Sequence, residues 1–312
     1  MTISLAGLDR LTRGYWRTTG RPVDLAGEHS WLRAPTSSGP VVGDAWLAEA
    51  AEVLGGSVRR DVADGGLLPS LSVLDGPGFR AADVRPEIRD FYEHTSHWRM
   101  ETWTGWNPLF QPGGELISRL FGRRVQQLAL PTRPLDVAYG MDSRIAHVVS
   151  PEGEQLAAGW VRTLRATGEY VFSGCYSARR LAGDAQPRVH VAFPLEAGNV
   201  QVFLRPQAVD DGGLLLSSPP GDFGDDGAYV VVEEGGEAHA ARVPIHETFR
   251  VFVDGEGVVR TDHVLRLWSA QVVRAALQAH PGGLIMSVDE KATWQRYLTE
   301  RREALTSKVE GL

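Results

Sequence analysis

Cysteine is almost missing from this chain. Cys175 stands alone, which excludes an internal disulfide and a cysteine-ligated zinc site. Placed in a strand-like run, it reads as a buried, inert thiol. Long apolar runs are missing too: nowhere do about 18 apolar residues follow one another without a charge, so no membrane-spanning helix is expected. The opening residues MTISLAGLDRLTRGYW show neither a basic leader nor an uninterrupted apolar segment, and a cytoplasmic location is the expectation. Positive charge is in deficit, with a net charge of −7 and a pI near 5.7. A nucleic-acid platform, which must neutralise phosphates, is therefore not expected. Absent as well are a G-x-G-x-x-G after a strand, a Walker A loop and a G-x-S-x-G elbow. Strands do not alternate with helices either. Doubly wound dehydrogenases and methyltransferases, kinases and α/β-hydrolases are all disfavoured.

What the chain does have is a long series of short strands. At 312 residues, 43% hydrophobic and 23% charged, it has length for a sizeable core. Between residues 141 and 261, β-branched and aromatic runs are cut by Thr167-Gly168, Ala197-Gly198-Asn199, Asp211-Gly212-Gly213 and Asp254-Gly255, which are turn chemistries. The spacing predicts strands near 142–149, 156–166, 169–180, 187–195, 199–207, 213–218, 228–234, 240–253 and 258–261, with an exposed loop at 219–227. Helices are expected over 44–54, from Pro86, and over 116–125. Two more are expected, one along the stripe Val264, Leu265, Trp268, Val272 and Ala276, and one from the capping box Ser287 to Glu290. Residues 98–106 alternate as a strand would, with a continued helix as the alternative. The expected fold class is α+β: a strongly curved antiparallel β-meander with flanking helices. Residues 1–84 read as an N-terminal elaboration and 85–312 as the main domain with its C-terminal helices.

Aromatic residues crowd one block, with Tyr92, Trp98, Trp103 and Trp106 beside Glu93, His94 and His97. Such a block either walls a ligand cavity or packs a helix on the sheet. His94 and His97 lack a recognisable third ligand, so no metal site is assigned. His246-Glu247 does not continue as a metalloprotease motif. In the strand His246 to Val253, period two sets Glu247 on the face of Phe249, Val251 and Val253. Buried there, its carboxyl would be a general acid or base; at the rim, it would simply pair with a cation. Phe172 and Tyr176 share a face on their strand. Trp160 and Arg162 belong to the neighbouring strand, Arg162 as a counter-charge for a carboxylate.

The stretches RDFYEHTSHWRMETWTGWNPLF and FGRRVQQLALPTRPLDVAYGMDSR, continuing to the LRLW segment, resemble an uncharacterised actinobacterial protein family. That resemblance implies no activity and carries over no residue. At fold level the element order resembles the calycin-like barrel of lipocalins and, alternatively, the helix-grip fold of START and polyketide-cyclase proteins. The expectation is a pocket for a bulky hydrophobic small molecule. Cofactor-independent cyclisation, isomerisation or dehydration would then rest on Glu247, Glu93 and His94, with Tyr92, Trp98, Trp103, Trp106, Trp160, Arg162, Phe172 and Tyr176 lining the site. A non-catalytic carrier or sensor of a lipid or polyketide-like ligand is the alternative, and a partner-binding module using the aromatic block is a third class.

Overall fold

Glycine and asparagine at the reversals set the architecture. Gly168, Gly198, Gly212 and Gly257 all take positive φ, the region where a side chain on Cα is disfavoured. Each sits in a turn that returns the chain antiparallel. The structure, a computed structural model, describes residues 5–39, 42–106, 140–268 and 270–281. The elements in chain order begin with α1 (Leu5–Thr19), β1 (Arg21–Pro22), α2 (Trp46–Leu54), β2 (Ser57–Arg59), α3 (Pro86–Glu93) and β3 (Trp98–Trp106). The meander follows: β4 (Met141–Val149), β5 (Gln155–Leu164), β6 (Tyr170–Arg179), β7 (Arg188–Leu195), β8 (Gly198–Ala208), β9 (Leu214–Ser217) and β10 (Gly227–Glu234). It closes with β11 (Glu237–Val243), β12 (Ile245–Val253), β13 (Val259–Leu267) and β14 (Ala270–Pro281).

All fourteen strands of the described residues join one sheet, whose main path runs β2-β4-β5-β6-β7-β8-β9-β12-β13-β14-β3. The long β8 makes this possible by dividing its partners. Its first half pairs with β10, Val202 opposite Ala228, and its second half pairs with β9, Arg205 opposite Ser217. The sheet is not closed into a barrel, although β3, at the far edge, comes near β4. The protein is thus α+β with an antiparallel meander. β2 (Ser57–Arg59) pairs with β4, so residues before 85 add a strand to the same sheet.

Both faces of the central strands are covered. One face meets α3 and the turns around Leu71, Leu74 and Phe79 in the largest apolar cluster. The other meets α2 through Trp46, Leu47 and Ala50, and the segment around Trp31 and Leu32. For this reason seven consecutive residues of β5, Ala157 to Thr163, are buried without alternation, the pattern of a strand sandwiched between two layers.

Three expectations are corrected. The helix drawn through Val264, Leu265, Trp268, Val272 and Ala276 is instead the hairpin of β13 and β14, so the first of the expected C-terminal helices is sheet. Its ladder slips between Leu265 and Arg266. A one-residue slip breaks period two and leaves apolar spacings that mimic a helix. The strand expected over 240–253 is two strands parted at Pro244, which has no N–H to give a ladder. Finally, α1 forms in a stretch for which no helix was expected. The expected helices at 116–125 and from Ser287 lie outside the described residues.

The end of α3 lies against the loop at Gly66 through a close backbone approach. A Cβ on Gly66 would stand 2.5 Å from the Glu93 carbonyl carbon and 2.7 Å from the Tyr92 carbonyl oxygen, where only backbone could yield. Gly66→Ala is expected to cost about 1–3 kcal/mol, as overpacking does, and to push the end of α3 away from this loop. Chemical denaturation and the near-UV signal of Tyr92 and its aromatic neighbours would register both effects.

Candidate functional site

Strand register gathers the site. On β5 and β6, Arg162 lies opposite Phe172 and Ala158 opposite Tyr176, so Trp160, Arg162, Phe172 and Tyr176 all project from one face. Their rings interlock: Trp160 lies 5.3 Å from Phe172 and 5.7 Å from Tyr176, and Phe172 lies 5.6 Å from Phe193 on β7. The Trp160 indole N–H donates to Ser143 Oγ at 2.8 Å, which fixes its plane. Phe172, Tyr176, Phe193 and Phe249 are only partly buried while packing on the core. They form an aromatic wall with accessible surface on the face that carries α3.

Arg162 stands in that wall with its guanidinium 5.5 Å from the Trp160 ring. Burial pushes its pKa down to about 10, with the Tyr176 hydroxyl acting in the opposite direction. The Tyr176 phenol is itself raised by burial first, then by Tyr92 and by the Glu247 carboxylate, while Arg162 opposes. Burial alone raises Tyr92. Both phenols therefore stay protonated near neutrality, as hydrogen-bond donors rather than nucleophilic phenolates.

The acid–base groups come from the far side of the sheet. Glu247 on β12 accepts from or donates to His263 Nε2 at 3.0 Å, according to the protonation of the pair. Their side chains are 14% and 22% exposed, so the pair is largely shielded from bulk water. Phe249 lies flat on the His263 ring, 3.8 Å between centroids and 11° between planes. A carboxylate that holds one imidazole nitrogen fixes the ring and leaves the other nitrogen to take or give a proton.

Of the residues expected from sequence, the structure brings together Tyr92, Trp160, Arg162, Phe172, Tyr176 and Glu247. Trp98 is buried in the same cluster, its indole N–H donating to Asp90 Oδ2 at 2.9 Å. The side chains of Trp103 and Trp106 lie outside the described ones; their backbone continues β3. Glu93 and His94 sit elsewhere. Glu93 accepts from the Leu71 N–H at 2.7 Å and from Ser70 Oγ at 3.1 Å, holding a 3-10 turn against α3. His94 Nδ1 meets Asp64 Oδ1 at 2.6 Å on the surface, with His97 stacked beside it. Asp64 raises the His94 pKa. The stability this contact adds is therefore fully present below the free histidine value and is lost as pH rises through the raised one. Replacing His94 with Gln is expected to flatten that alkaline loss, which thermal unfolding between neutral and mildly alkaline pH would show.

His263 and Phe193 went unnoticed in the sequence. The signal for His263 was its place opposite Phe249, legible only once 259–267 is read as a strand. Among the described residues no group of three or more metal-ligating side chains converges, and no helix is long and apolar enough to cross a membrane. No protein-family model, curated protein or solved structure matches the chain.

Proposed function

We propose that the face carrying α3 binds a bulky hydrophobic small molecule and that the Glu247–His263 pair moves a proton on it. The observation that carries this reading is the juxtaposition of a half-accessible aromatic wall with a sheltered carboxylate–imidazole pair. Phe172, Tyr176, Phe193 and Phe249 supply flat apolar area. His263, oriented by Glu247, takes a proton from carbon or oxygen of the ligand. Tyr92, Tyr176 and Arg162 supply donors for the negative charge that develops. Proton transfer with charge stabilisation suffices for isomerisation, dehydration or cyclisation, and a redox cofactor is not called on. In this reading the curved sheet serves as an open calycin-like cup, with α3 laid on its inner side as in a helix-grip arrangement. The working location is the cytoplasm, and neither nucleic acid nor a membrane span takes part.

The test begins with native mass spectrometry of the purified protein, which identifies a retained organic molecule by its excess mass. With that molecule or its relatives as substrate, Glu247→Gln is expected to leave binding within a few-fold and to lower turnover by about 10²–10⁴-fold, the usual share of a positioned acid or base. Unchanged turnover would sink the catalytic role. Binding without any turnover in the wild type would make the cup a carrier.

A further inference from the structure

The opposite face of β12 carries a second site. Period two sends Glu247 and Phe249 to the side of the aromatic wall and His246 and Thr248 to the other. There a groove of about 680 Å³ is lined by His246, Thr248, Ser217, Arg266 and Trp268, with the Pro219-Pro220 rim along one edge. The groove falls within the roughly 300–1,000 Å³ of small-molecule sites.

We propose that this groove binds an acidic saccharide, with a sugar ring stacked on Trp268 and its carboxylate paired with Arg266. Trp268 is 69% exposed, an arrangement in which a large apolar ring gains nothing from the protein core. It is nevertheless held in place. Its φ is +52°, an uncommon conformation for a bulky side chain, and its backbone N–H donates to the Pro244 carbonyl at 2.8 Å. An exposed indole on a strained, backbone-anchored residue beside a groove is a platform. The C–H face of a pyranose, made positive by its hydroxyls, meets the negative face of such a ring.

Charge selects the substituent. Arg266 lies directly across the ladder from His246, and the groove lining contains no carboxylate. A planar guanidinium matches a carboxylate in bidentate fashion. His246 lines the groove beside Arg266, and its Nδ1 is buried without a hydrogen-bond partner. Ser217 and Thr248, opposite each other on β9 and β12, add hydroxyls to the lining. The floor is firm: the Ser218 hydroxyl accepts from the Glu247 N–H at 2.8 Å, and the Ser218 N–H donates to the Glu247 carbonyl at 2.9 Å.

The experiment is saturation-transfer NMR with methyl β-D-glucuronide, methyl β-D-glucoside and a proline-rich peptide, each offered to the full chain. The wild type is expected to bind the glucuronide more tightly than the glucoside, and the peptide not at all. Trp268→Ala should weaken both sugars by at least about tenfold. Arg266→Gln, an exposed change that leaves the core intact, should lower the glucuronide to the level of the glucoside. No saccharide binding by the wild type would overturn the proposal. So would sugar binding indifferent to both substitutions, or peptide binding in place of sugar binding. None of these outcomes touches the site at the aromatic wall, because the readout is binding at the other face.

Discussion

Replacing Asp226 with alanine is expected to destabilise the protein by about 3–5 kcal/mol, the range for stripping one partner from a buried ion pair. Arg188 is completely buried and Asp226 is 3% exposed. The Arg188 guanidinium donates to Asp226, to Asp184 and to the Gln186 carbonyl. Arg205 shares both carboxylates, at 2.6 Å to Asp226 and 3.3 Å to Asp184. Without Asp226, a fully desolvated cation keeps only the partly exposed Asp184 as counter-charge. Asp226→Asn should cost less, since an amide still accepts a hydrogen bond. The pair Arg188→Met with Asp226→Leu should recover much of the loss, because apolar groups of similar volume replace buried ions without penalty. Urea unfolding of the four proteins measures this directly; a loss under about 0.5 kcal/mol for Asp226→Ala, within the range of ordinary surface changes, would show that the cluster is decorative. The same residue also ties down a loop, since Arg242 donates to the Asp226 and Pro219 carbonyls at 2.8 and 2.7 Å.

Asp226 illustrates what the sequence could and could not yield. It lies in PPGDFGDDG, which composition marks as an exposed loop, and Gly221, Asp222 and Asp225 are indeed exposed. Nothing local distinguishes Asp226 from them. Its burial comes from Arg188, thirty-eight positions away, and composition carries no information about such pairs. The meander, by contrast, was legible because its causes are local: a turn needs glycine or asparagine, and alternating β-branched and aromatic residues cannot satisfy a helix. Strand faces were legible where a single parity is uninterrupted, as for Phe172 with Tyr176 and for Glu247 with Phe249. They failed where a bulge shifts parity, as at Leu265, and this failure concealed His263. Glu93 and His94 drew notice as a cluster of polar groups among aromatic rings. The end of α3 turns them toward Leu71 and Asp64 instead, a direction fixed by where the helix stops and not by the residue types.

Acid should unfold this protein through His190. The ring is 1% exposed on the face opposite the aromatic wall, stacked on Phe203 with 4.7 Å between centroids. Its protonation follows from its neighbours. The Gln201 amide nitrogen donates to the Leu32 carbonyl at 2.8 Å and to Asn199 Oδ1 at 2.9 Å, so Gln201 Oε1 is the atom facing His190 Nε2 at 2.8 Å. Nε2 must carry the hydrogen, and Nδ1 accepts from the Ser177 hydroxyl at 2.9 Å. Every polar atom is satisfied with the ring neutral. A second proton would place a charge in a dry site, and burial, reinforced by the nearby Arg179, holds the pKa down to about 3. The unfolded chain protonates this histidine near pH 6.5, where the native state does not. Stability is thus full above that pH and is lost as pH falls toward the native value, by about 1.4 kcal/mol per unit, or roughly 2 kcal/mol by pH 5. His147, also lowered by burial, adds a contribution of the same sign, whereas His94 acts mainly above this window. The comparison with His190→Gln isolates the effect: the amide can replace both hydrogen bonds but cannot titrate. The variant should start less stable at pH 7 and lose distinctly less between pH 6.5 and 5, above the range of ordinary carboxylates. Equal slopes for the two proteins in urea unfolding would mean that His190 is protonated in the native state, and that the network from Ser177 to Leu32 is arranged differently from what is described.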